Sequence, residues 1–197
     1  MASQQLPPVP TPVAIMDQFI APQTETLVLK EKVLSLSGDS FDVKMASGQP
    51  IFQIKAKHLS ISGRKSVFDM AGDHLFDIVK QHLHIHSTFA AEAPDGRKLL
   101  EVKSSLSLIG SKATATFTSP RTGSTVSLKM KGNWRDSKAD IVEEATGAVV
   151  AQIDRKLLRA RQMFFDQQTY AVIVAPGVDL ALITALCVCF DEKNNEQ

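Results

Sequence analysis

His82, His84 and His86 alternate with Leu83 and Ile85. On a strand the three imidazoles would share one face, about 6.5–7 Å apart. Two of them could then grip a zinc ion, with a third ligand from elsewhere. The same spacing also describes a solvated outer face, and no cysteine or carboxylate stands at a ligand-like spacing. The run is therefore a weak metal candidate and a better source of pH response, since each imidazole titrates near neutrality. The densest basic stretch is Arg155, Lys156, Arg159 and Arg161, opposed locally only by Asp154; Lys129 and Lys131 alternate on another run, with Arg135 close behind. Clustered cations attract anionic lipid headgroups, each contributing about 1 kcal/mol near a charged surface. The competing reading is a solvated strand or loop balanced by nearby acids. Cys187 and Cys189 are two apart on an expected helix, so they point in different directions and read as small buried hydrophobes. Asp179 reads as a carboxylate bound to free amides at a helix start. No G-x-S-x-G elbow, P-loop, G-x-G-x-x-G or H-E-x-x-H occurs. The chain therefore reads as a non-enzyme without a cofactor.

The elements that must position these residues are constrained by composition. The chain has 197 residues, 44% of them hydrophobic, with 22 Lys and Arg against 21 Asp and Glu for a formal charge of +1. Such a balance excludes wholesale disorder and argues against a dedicated nucleic-acid binder, which needs a basic excess to neutralise phosphates. Two cysteines exclude a disulfide scaffold and fit a reducing compartment. Residues 1–12 carry four prolines and no apolar helical run, so the start does not read as a secretory signal. The expected setting is the cytosol, with the membrane surface or the nucleus as further sites, and no secretion.

Residues 1–19 read as a Pro-rich, loosely ordered arm, 20–192 as the folded domain and 193–197 as a polar tail. From about residue 26, short runs rich in Val, Ile, Phe, Leu and Thr alternate with polar residues. Phe52, Ile54 and Ala56 alternate with Gln53 and Lys55; Thr114, Thr116 and Thr118 alternate with Ala115 and Phe117. About a dozen such runs, one every 8–12 residues between Gly, Pro and Asp turns, read as an all-β sandwich or barrel. Three turns share a frame: apolar residues fall three, four and six positions after Gly48, Gly72 and Gly147. The fourth and sixth of these should face the interior.

Residues 170–190 break the pattern with a single charge, Asp179. Tyr170 to Ala175 is β-branched and aromatic, hence a strand, and Pro176-Gly177 interrupts the run. A helix over about 177–190 would be roughly 21 Å long at 1.5 Å per residue, short of the ~30 Å hydrocarbon core. Its residues Leu180, Leu182, Ile183, Leu186 and Phe190 surround the axis, and a helix apolar all round must be buried all round. In a β protein the burial site is the middle of a closed barrel.

The sequence resembles the LURP-one-related family of the Tubby C-terminal-like superfamily, which also holds the phospholipid scramblases. Leu29-Lys30-Glu31-Lys32, Ser37-Gly38-Asp39-Ser40-Phe41, residues 59–65 (LSISGRK), Phe68-Asp69-Met70-Ala71-Gly72, Lys131-Gly132-Asn133-Trp134 and residues 170–179 (YAVIVAPGVD) carry it. The resemblance implies a twelve-stranded antiparallel β-barrel around a central, buried C-terminal helix. It also implies an intracellular interaction or signalling module with a stress- or defence-related role, binding anionic phosphoinositide lipids or protein partners. A scramblase-like lipid-handling protein and a nuclear regulator are the alternatives. The chain lacks a clear match to the Tubby phosphoinositide motif and an acidic EF-hand-like loop after the barrel.

Overall fold

The computed structural model describes residues 5–30, 40–56, 64–81, 88–105, 112–132, 138–155 and 169–195. Twelve strands form a closed antiparallel barrel around one C-terminal helix. The strands are β1 (Glu25–Lys30), β2 (Ser40–Met45), β3 (Pro50–Ala56), β4 (Lys65–Asp69), β5 (His74–Gln81), β6 (Thr88–Glu92), β7 (Lys98–Ser105), β8 (Lys112–Thr118), β9 (Thr125–Gly132), β10 (Lys138–Glu143), β11 (Val149–Asp154) and β12 (Thr169–Val174). The wall is a meander closed by β1, which pairs with β12 on one side and β2 on the other. Closure gives each described strand a neighbour on both sides, so none stands as a sheet edge.

Alternation decides which side chains fill the lumen. Ala113, Ala115 and Phe117 face inward and are at most 5% exposed, while Thr114 and Thr116 face out. The shared turn frame has a structural cause. In the β2–β3, β4–β5 and β10–β11 hairpins the register slips once, leaving Ile51, Leu75 and Val150 as the extra residue of a β-bulge. A bulge sets two residues against one. Leu75 and Val150 are buried beside the inward residues that follow them, and Ile51 is partly buried. Phe52, Ile54, Phe76, Ile78, Ala151 and Ile153 all face the interior as the frame predicts, none more than 1% exposed. The β6–β7 hairpin repeats the device: Leu99 is the bulged residue three positions after Gly96.

The helix α1 (Leu180–Asn195) runs down the lumen. Its 16 residues span about 24 Å. Leu182, Ile183 and Leu186 are fully buried, and Leu180 and Phe190 nearly so, as an all-round apolar helix requires. It starts three residues later than the composition suggests, because Asp179 serves as its N-cap through Ala181 N at 2.7 Å. It also continues past 190, to Asn195.

The N-terminal arm differs from a loosely ordered segment. Val13, Ala14 and Ala21 are 1% exposed. Val9, Val13 and Ala21 donate their amides to Pro176, Gly177 and Val178 carbonyls at 2.9–3.0 Å. The strap therefore lies on the segment joining β12 to α1. Gly177 has φ +88°, and a Cβ there would sit 2.8 Å from Val9 Cγ2, so this crossing point needs glycine.

Candidate functional site

A meander alternates ends, so the barrel's two mouths differ in kind. The upper end collects the short turns at Gly48, Gly72, Gly96, Gly123 and Gly147, the arm and the start of α1. An open groove of about 530 Å³ lies there between the arm and the hairpins, lined by Met16, Leu75, Pro94, Leu99 and Pro120, with Arg97 among its polar groups. Arg121 Nε donates to Asp17 Oδ1 at 2.8 Å and ties the arm to the β8–β9 turn. The lower end holds the far ends of the same strands and the C-terminal end of α1.

The lower mouth carries a buried polar cluster at the end of a mostly apolar lumen. Lys65, the first residue of β4, shares the inward face with Val67 and is 2% exposed. Its Nζ lies 2.5 Å from Glu192 Oε1. Tyr170, the matching lower residue of β12, donates its hydroxyl to Asp191 Oδ2 at 2.8 Å. Burial, reinforced by the Asp191 charge, raises the phenol well above its ordinary range. The Arg155 guanidinium, just past β11, stands 5.1 Å from the Tyr170 ring centroid, a cation–π distance. Burial also pushes the Cys187 and Cys189 thiols up, which keeps them protonated and inert.

Of the basic residues singled out in the sequence, Arg155 belongs to this cluster. Lys129 and Lys131 stand exposed on the outer face of β9 instead. Glu144 takes both the Lys129 ammonium and the Ser127 hydroxyl, and these bonds hold its carboxyl below the usual range. Lys131 is paired in register with Asp140. The strand is thus close to neutral. Lys156, Arg159, Arg161, Arg135, His82, His84 and His86 lie outside the described residues.

Sequence reasoning missed Lys65, Tyr170, Asp191 and Glu192. A signal was available, since two acids close an apolar helix at the end where its dipole favours cations. A second polar cluster, on the outer wall, was also missed. Asp77 accepts from Arg64 at 2.6 Å, Ser66 at 2.6 Å and His74 at 3.0 Å. Burial works to raise its carboxyl, but these bonds outweigh burial and hold it below the usual range. Ser66 and His74 both bond the carboxylate, whereas activating a serine requires the imidazole between hydroxyl and acid. The cluster therefore ties three side chains to one acid. Among the described residues no group of three or more His, Cys, Asp or Glu could hold a metal ion.

Comparison with known proteins agrees with this architecture. A sequence model of the family described as LURP-one-related matches residues 25–191. Protein LURP-one-related 15 of Arabidopsis thaliana is 24% identical, over 95% of this chain and 90% of its own. Protein LURP-one-related 10 of the same plant is 23% identical, over 92% and 96%. Protein LURP1, also from Arabidopsis thaliana, is 22% identical over 91% and 89%. An Arabidopsis thaliana protein solved by X-ray crystallography shares the fold with a TM-score of 0.59 at 16% identity, covering 92% of this chain and 98% of that one. A match spanning the barrel from β1 into α1 makes the chain a member of the LURP-one-related family.

Proposed function

We propose that the protein is a non-enzymatic interaction module that meets anionic, phosphoinositide-containing membrane surfaces with its lower end. The observation that carries this reading is the filled lumen. Leu182, Ile183 and Leu186 are 0% exposed, so the space that would hold a substrate in an open barrel is occupied by protein. Function then belongs to the exterior and the mouths. The lower mouth is favoured because Arg155 stands there at the start of the basic stretch 155–161, and clustered cations bind anionic lipid. A stress- or defence-related role is proposed with it, on family resemblance. A scramblase-type activity would require α1 to leave the lumen it fills. Among the described residues no helix is long and apolar enough to cross a membrane.

Co-sedimentation with neutral and phosphoinositide-containing vesicles, at low and moderate salt, tests the proposal. Binding is expected only to the anionic vesicles and should weaken with salt. Changing Arg155, Lys156, Arg159 and Arg161 together to Gln should weaken it roughly tenfold or more. Equal recovery with both vesicle types, or none with either, contradicts the lipid reading and directs the search to protein partners.

A further inference from the structure

The C-terminal end of α1 stops between two walls of the lower mouth and turns an acid toward each. Glu192 meets Lys65 on β4, and Asp191 meets Tyr170 on β12, beside Arg155. Three strands, β1, β2 and β3, separate those walls around the barrel. A buried ion pair is a poor source of stability, since desolvation offsets its attraction and apolar replacements are often as good. Its best-attested use is as a switch or a register mark. The two acids are also badly placed for their own helix, because they lie toward the negative pole of its dipole. Helix packing alone selects neither feature. Both make sense if the carboxylates hold cations that have another ligand.

We propose that Asp191 and Glu192 are built-in competitors for the anionic ligand of the lower mouth. With the helix end in place, Lys65 is ion-paired from inside the barrel by Glu192, and Asp191 fills the space against Tyr170, over whose ring Arg155 stands. A phosphate-ester surface must displace that end to reach the two cations. The inference rests on the lipid reading above and adds to it a site and its regulation.

Combining Asp191→Asn with Glu192→Gln removes two charges and leaves Tyr170 and Lys65 each an oxygen acceptor. Binding to phosphoinositide vesicles is expected to tighten about fivefold for each charge removed, with an unchanged circular dichroism spectrum. Binding by the double variant alone also supports the competition, as its complete form. A folded double variant that binds no tighter than a binding wild type overturns the competition and leaves the lipid reading standing. No binding by either protein overturns both. A second arm uses the unaltered protein. When it is saturated with the same vesicles, amide exchange over residues 187–192 should rise several-fold, and unchanged exchange overturns the proposal even if the double variant fails to fold. Inositol hexakisphosphate separates the sources of phosphate. Tightening for it as well assigns the phosphate ester, whereas tightening for vesicles alone assigns the lipid surface.

Discussion

Asp179 joins the ends of the chain with one side chain. Its Oδ2 accepts Ile15 N at 3.0 Å and Met16 N at 2.8 Å, while Oδ1 accepts Ala181 N at 2.7 Å. Burial pushes the carboxyl up to about 6 from an ordinary 3.8, with the backbone amides pulling it back. A carboxyl that holds its proton more tightly in the folded state contributes stability that is full below about pH 4 and lost as pH rises through about 6. Two units correspond to roughly 3 kcal/mol. Thermal melts of wild type and Asp179→Asn should therefore diverge with pH. The wild type is expected to lose about that much relative to the variant between pH 4 and pH 7, and parallel curves would contradict the buried clamp. The capping role was legible, since Pro-Gly-Val-Asp before an apolar run marks a helix start. The clamp on the arm was not. The arm docks through the backbone amides of Val9, Val13 and Ala21, and amides leave no trace in residue type.

At the level of elements, the pattern after Gly48, Gly72 and Gly147 was legible before its cause was. Period-two alternation accounts for apolar residues at the fourth and sixth positions. The third breaks the period, and the slipped registers explain it: Ile51, Leu75 and Val150 are bulged residues. Leu99, Leu100 and Val102 complete a fourth copy after Gly96, which the charged neighbours Arg97, Lys98 and Glu101 had obscured. The interior place of α1 followed from its apolar circumference. Its ionic end did not, because Lys65 and Glu192 are far apart in sequence and meet only when the barrel closes. Leu182→Asp tests the element directly. An unpaired carboxylate at a fully buried position costs several kcal/mol out of a total of about 5–15 kcal/mol. The variant is expected to lose its cooperative melt, whereas unchanged melting would contradict a lumenal helix.

Across the whole molecule, a twelve-strand meander sorts its parts by end. The upper end is tied down by glycine turns and the arm, and the lower end gathers Lys65, Arg155 and the acids of α1. The proposed lipid binding makes the orientation of these ends toward a membrane the quantity to measure. That orientation can be read with two fluorescent labels, because both native cysteines are buried and unreactive. Lys103→Cys places a label on an exposed residue toward the lower end of β7, and Asp95→Cys places one on the upper β6–β7 turn. Each labelled protein is then mixed with phosphoinositide vesicles carrying a headgroup-level nitroxide quencher. Quenching is expected at position 103 and not at position 95. Stronger quenching at 95, or equal quenching at both, would contradict a protein that meets the membrane with its lower end.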